Sequence, residues 1–198
     1  MIKQLPFPDK KYQIIYADPP WKYETWTELK TEKLRKKCGS LCYPSMTLTQ
    51  ICELPIKKIA NDECILFIWI TMPKLNEVFK VIEAWGFIYK TCAFTWVKQN
   101  PSGNGIYSGL GHWTLANPEL CLLATHKKFP KRINPIKQLI FAPRGIHSKK
   151  PDIVRDKIIE LVGDLPRIEL FARYKVNGWD SWGNEELKKT YIQDKLIK

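Results

Sequence analysis

Hydrophobic and polar positions along the chain fall into short apolar runs separated by amphipathic or polar stretches. Tyr12 to Ala17 is rich in β-branched and aromatic side chains and reads as a buried strand, halted by Asp18-Pro-Pro-Trp21. Thr47 opens a short helix over Leu48 to Leu54, ended by Pro55. Cys64 to Ile70 is apolar over its whole length, as a strand covered on both faces would be. Thr71 is placed to cap the next helix, with Pro73 in its first turn, an apolar stripe at Leu75, Val78, Phe79, Ile82 and Trp85, and Gly86 as its stop. Strands are expected over Phe87 to Val97, Glu119 to Thr125, Ile136 to Ala142 and Arg167 to Arg173. The second and third of these read as an antiparallel pair around the basic turn of Lys127, Lys128, Lys131 and Arg132. Helices follow at Asp152 to Val162, begun by Pro151, and at Glu185 to about Lys195, capped by Asn184. The alternation predicts an α/β fold with a largely parallel sheet, helices on both faces and one antiparallel hairpin.

Two stretches lack such periodicity. Lys22 to Pro44 is polar and carries Lys36 and Lys37 directly after the Asp-Pro-Pro-Trp turn, where a basic lid touching a nucleic-acid backbone, or a solvated loop, would fit. Lys98 to Asn117 holds Gly103, Gly105, Gly109 and Gly111 and presents His112-Trp113 on a glycine hinge, two side chains able to stack on or bond a base. Its Gly-Leu-Gly is too short for a dinucleotide fingerprint, and no nucleophile pattern supports a hydrolase triad.

Composition narrows the class. The 198 residues, 44% of them hydrophobic, fit a single domain over residues 1–198. A formal net charge of +12, from 32 Lys and Arg against 20 Asp and Glu, favours a polyanionic partner, nucleic acid first. Six scattered cysteines with no zinc-type spacing read as reduced thiols, so no metal is expected. A strand beginning at Tyr12 leaves no room for a signal peptide and no apolar run reaches membrane-span length, which together suggest a cytoplasmic protein with no membrane partner.

At the end of the first strand a carboxylate (Asp18), prolyl carbonyls free to accept hydrogen bonds and an indole plane (Trp21) suit a flat ligand bearing an amine. Asp18-Pro-Pro-Trp21, Gly111-His-Trp113 with Pro118-Glu119, His147-Ser-Lys-Lys-Pro-Asp152, and Glu169-Leu-Phe-Ala-Arg173 with Gly178-Trp179 and Trp182-Gly-Asn-Glu185 occur in one order. That order resembles the MT-A70 family of S-adenosylmethionine-dependent adenine N6-methyltransferases, of the compact type carried by bacteria and phages.

The resemblance implies a Rossmann-like methyltransferase domain in the permuted β-class order, with the catalytic motif ahead of the cofactor segment. It implies Asp18, Pro19, Pro20 and Trp21 as catalytic, the Asp18 carboxylate and Pro19 carbonyl holding the target amine and Trp21 stacking on the adenine. It implies S-adenosyl-L-methionine as cofactor, bound by Ala17, Asp18, Lys150, Arg173, Asn184 and Glu185, with Lys150 on the methionine carboxylate. Nucleic-acid contacts are expected from Lys22, Tyr23, Lys36, Lys37, His112, Trp113, Lys128, Arg132, His147 and Lys149. DNA is the expected substrate, with RNA, or a catalytically inactive nucleic-acid-binding partner, as alternatives. A homodimer, or a heterodimer with a related subunit, is compatible with the family, and the cytoplasm of a bacterial or phage-infected cell is the expected location. Glu185 departs from the glutamine of the eukaryotic members.

Overall fold

The computed structural model describes residues 6–23, 45–109, 111, 113–145, 149–172 and 174–183. These form a seven-stranded sheet in the order β5-β3-β4-β2-β1-β6-β7. The strands are β1 (Tyr12–Ala17), β2 (Ala60–Ile70), β3 (Ile88–Gln99), β4 (Glu119–Thr125), β5 (Leu139–Pro143), β6 (Arg167–Leu170) and β7 (Asp180–Trp182). The helices are α1 (Leu48–Cys52), α2 (Ile56–Ile59), α3 (Leu75–Ala84) and α4 (Ile153–Val162).

β1 is paired in parallel with β2 on one side and β6 on the other, and β7 continues the parallel run beyond β6. Covered on both faces, the central strands carry the continuous apolar runs that parallel sheets require. One face buries Ile15, Leu66, Ile68 and Leu122 against α1 to α3 through Ile51, Ile56, Val78 and Ile82. The other packs Ile14, Phe67, Phe94 and Ile140 against Val154, Ile158 and Val162 of α4. Buried indoles on this scaffold find acceptors: Trp69 donates to the Tyr16 hydroxyl (2.6 Å) and Trp85 to the Ile51 carbonyl (2.8 Å).

β4 alone reverses the direction of the sheet. It is antiparallel to β2 and to β3, so the hairpin expected from the sequence lies between β3 and β4. The expected pairing of Glu119–Thr125 with the following strand is corrected: β5 passes outside β3 and pairs with it in parallel. The helix after β2 also starts later than expected. Met72–Lys74 forms a 3-10 turn, the Thr71 side chain makes no cap bond and instead meets the Tyr23 hydroxyl, and α3 begins at Leu75. Phe79, expected on the apolar face of that helix, is exposed and meets the Tyr89 ring edge-on, since the stripe needed to cover the sheet is complete with Val78, Val81 and Ile82. Thr47, by contrast, forms a full capping box with Gln50.

Candidate active site

Three connections converge on the carboxyl ends of β1 and β2: the turn after β1, the β3–β4 loop, and the segment entering α4. In parallel sheets the crevice at this edge is where ligands bind. The two prolines end β1, and the chain then folds back so that Pro20 accepts the Met46 N–H (2.8 Å) while Lys22 donates to the Met46 carbonyl (3.1 Å). The prolyl carbonyls are therefore already engaged, contrary to expectation, Pro19 accepting from the Trp21 N–H at 2.9 Å. A carbonyl oxygen has two lone pairs, so Pro19 retains capacity for a second donor.

The same fold-back places Trp21 differently from the expectation of an open stacking plane. Its ring is 8% exposed, lies in the core cluster, and donates its indole N–H to the Trp69 carbonyl (3.3 Å). Bridging to Met46 draws the side chain inward, where it braces the turn. The ring left near solvent is Tyr23, which stands beside Thr71 with the Lys74 ammonium 5.9 Å from its centroid. Burial raises the Tyr23 phenol above its ordinary range, and the charges of Glu119, Lys150 and Asp18 also act on it.

Asp18 belongs to a chain of alternating charges. Lys150 Nζ lies 2.8 Å from the Asp18 carboxylate and 3.2 Å from Glu119 Oε2, while Lys98 Nζ holds Glu119 Oε1 at 2.6 Å. The Lys150 and Glu119 side chains are only 11% and 7% exposed, so their pairing acts at low dielectric. Burial alone would push the Glu119 carboxyl up, yet Lys150 and Lys98 outweigh it and hold it below its usual range. Burial would likewise lower the Lys150 ammonium, and Asp18 and Glu119 reverse this and raise it.

A second buried network lies behind the first. Arg155 on α4 grips Glu169 on β6 with two bonds of 2.7 Å and reaches Asp152 at 2.8 Å. Asp152 also accepts from Tyr174 (2.9 Å) and Lys149 (2.5 Å). Burial raises the Glu169 carboxyl even against the opposing pull of Arg155. This network fixes where α4 begins relative to β1 and β6, and so positions Lys150 over Asp18.

The structure brings Asp18, Pro19, Ala17, Tyr23, Lys149 and Lys150 to one edge, with Lys22 on the adjoining turn. Lys128 and Arg132 follow the far end of β4, and Lys128 is bound to Asp62 near the start of β2, at the edge opposite Asp18. Their expected contact with a nucleic-acid backbone would therefore fall on a surface away from Asp18, because reversing β4 carries its exit loop to the opposite edge. Lys36, Lys37, His112, His147, Arg173, Asn184, Glu185, the 24–44 part of the expected lid and the final helix fall outside the described residues. Trp113 stands at the tip of the β3–β4 loop.

Sequence reasoning missed Glu119 and Lys98 as site residues, and Arg155 with Glu169 as their support. A signal for Glu119 was present: between Ala84 and Pro151 it is the sole acidic residue, against ten lysines and arginines. An isolated acid at a strand start within a basic stretch has partners waiting for it. Among the described residues, no group of three or more His, Cys, Asp or Glu side chains is placed to hold a metal ion, and no helix is long and apolar enough to cross a membrane.

The chain is similar to known proteins over most of its length. The MT-A70 family model matches residues 12–185. The type II methyltransferase M.MunI of Mycoplasma sp is 37% identical over 90% of this chain and 79% of its own length. The N(6)-adenine-specific methyltransferase METTL4 of Mus musculus is 30% identical over 90% of the chain, which spans 38% of that relative. The N6-methyladenosine RNA methyltransferase MTA1 of Pyricularia oryzae is 26% identical over 89% of the chain and 47% of its own length.

Proposed function

The chain belongs to the MT-A70 family of methyltransferases, and from that premise we propose that it transfers a methyl group from S-adenosylmethionine to N6 of adenine in DNA. The observation that carries this reading is the Asp18 carboxylate at the carboxyl end of β1, gripped by Lys150 and followed by the Pro19 carbonyl. The relative named a type II methyltransferase matches at 37%, against 26% for a relative named an RNA methyltransferase, and that gradient favours DNA. The net charge of +12 suits either polyanion.

The residues present fit the cofactor at Lys150. Lys150 offers a cation at the site for the methionine carboxylate. Gly183 lies so close to the turn after β6 that a Cβ there would sit 2.5 Å from the Ala172 carbonyl oxygen, so the missing side chain lets the end of β7 close against that turn. S-adenosylmethionine supplies an electrophilic methyl group on its sulfonium.

The protein's own contribution is positioning. An adenine amine is a poor nucleophile because its lone pair is delocalised into the ring. Asp18 and the spare lone pair of the Pro19 carbonyl accept its two hydrogens, which localises the lone pair on nitrogen and aims it for in-line attack. Once methylated, the nitrogen would carry one proton too many, for which the Asp18 carboxylate is the acceptor at hand. Tyr23 provides the ring that covers the adenine, with Trp21 as the rigid wall beneath the turn. In a duplex the base must leave the stack to reach them.

RNA is the second reading, favoured by the MTA1 relative. A catalytically inactive partner is disfavoured by the intact Asp18-Pro-Pro-Trp21. The test is transfer of labelled methyl to DNA and RNA oligonucleotides of one sequence, with Asp18→Ala beside the wild type. Incorporation into DNA that vanishes in Asp18→Ala supports the proposal. Incorporation into RNA alone, or undiminished activity of the variant, rejects it.

A further inference from the structure

The β3–β4 loop is a built structure. Gln99 bridges Ile106 across a tight turn in which Gly103 and Gly105 take positive φ, and Gly109 then pairs with Ala116 through two hydrogen bonds of 2.8 and 2.9 Å. The Asn117 amide binds both the N–H and the carbonyl of Lys98 and reaches the Tyr107 carbonyl, tying the two small hairpins together. Arg144, arriving from β5, lays its guanidinium 4.2 Å from the Tyr107 ring centre. All this ordered backbone presents Trp113 at the second tip with 98% of its surface exposed, flanked by exposed Leu115.

A large aromatic ring held out into water on a braced hairpin loses hydrophobic stabilisation unless something covers it. Two observations say what that is. No acidic residue occurs from Lys98 to Pro118, Arg144 lies against Tyr107 of the loop, and Glu119 at the loop's end is consumed in the Lys98–Glu119–Lys150 chain. This surface therefore suits a polyanion. The loop's stems are also members of the site: Lys98 at its start and Glu119 at its end are bonded to each other and, through Lys150, to Asp18. The loop that carries Trp113 therefore rises from the same edge that holds Asp18.

We propose that Trp113 is a stacking wedge that enters the base stack of duplex DNA next to the adenine withdrawn into the Asp18 site, filling the space the base leaves. Intercalating side chains of this kind offset the unstacking cost with new stacking on the flanking bases. The proposal rests on the DNA reading above and adds how the duplex is opened.

The test compares wild type, Trp113→Ala and Trp113→Phe on a duplex carrying the methylated site, located by mapping N6-methyladenine in plasmid DNA. The same site is presented as a single strand and as a duplex with the target adenine mismatched. A 2-aminopurine at the target position reports base extrusion at saturating protein, independently of turnover. Trp113→Ala is expected to lower kcat/KM on the perfect duplex by roughly tenfold or more. It should also suppress the 2-aminopurine rise. The loss should be much smaller on the mismatched duplex and the single strand, and Trp113→Phe should recover most of it. Equal losses on duplex and single strand, no loss, or conversion of an oligomer to monomers by Trp113→Ala would overturn the wedge. Failure of the wild type to methylate any DNA would instead overturn the proposed function and this inference with it.

Discussion

Replacing Lys150 by methionine removes the cation that Asp18 and Glu119 share. Both carboxylates approach its Nζ within 3.2 Å, so once it is gone they face each other no more than about 6 Å apart. At an effective dielectric of about 20, two unit charges at that distance repel by about 3 kcal/mol, or about a hundredfold in proton affinity. Asp18 is 26% exposed and Glu119 7%, so solvent does not screen this away. The sign of the pH dependence then reverses. In the wild type Glu119 is held below its ordinary range, so its contribution is complete above the unfolded pKa near 4.5 and is lost only as pH falls through the lower folded value. Lys150 is raised, so its contribution persists up to 10.5 and is lost above it. In Lys150→Met, Lys98 still holds Glu119, so Asp18 is the carboxylate left facing a negative charge without its own cation; it binds a proton more tightly folded than unfolded, and stability falls as pH rises from about 5 to 8. Thermal melts at pH 5 and pH 8 should show a deficit against wild type of roughly 6–12 °C at pH 8 that shrinks at pH 5. Lys150→Met with Glu119→Gln should remove the pH dependence without restoring methyl transfer. A deficit that is constant, or grows on acidification, would refute the shared-cation argument.

Arg155→Met leaves Glu169 buried without its bidentate partner and should cost about 3–5 kcal/mol, a fall in Tm of roughly 6–20 °C. Adding Glu169→Leu should recover most of that in the same melt. Gly183→Ala drives a methyl group into the Ala172 carbonyl and should cost about 1–3 kcal/mol, read as a fall in Tm; an unchanged Tm would show that the turn after β6 moves aside. Thr47→Ala removes the capping box of α1 and should lower stability by about 1 kcal/mol with methylation rates unchanged.

Strand positions were legible because buried strands leave unbroken apolar runs, as at Tyr12–Ala17 and within Ala60–Ile70. Strand direction was legible only indirectly. Four glycines and no helical period between Lys98 and Asn117 rule out a crossover helix, so β3 and β4 must be antiparallel. The same reasoning gives β5 its direction but not its neighbour, since a strand that buries Ile140 and exposes Leu139 and Phe141 could border either edge of the sheet. Asp18 and Lys150 were readable from motif order, although they lie 132 residues apart. Glu119 and Lys98 were not, because their role arises from β4 delivering its first residue to the edge where β1 ends. The burial of Trp21 was hidden for a similar reason: the bridge to Met46 that draws it inward joins residues from opposite ends of a long polar segment.

The reversed strand also bears on how such a scaffold diversifies. Each parallel connection must cross back over a face of the sheet, so its length and surface are committed to packing. The β3–β4 connection leaves and re-enters at the same edge, with its stems closed by Lys98 and Glu119. Residues between those stems can be lengthened, shortened or exchanged without repacking either core. If the loop meets the nucleic acid as proposed, grafting this segment between relatives would change target preference while leaving the Asp18–Lys150–Glu119 chain in place.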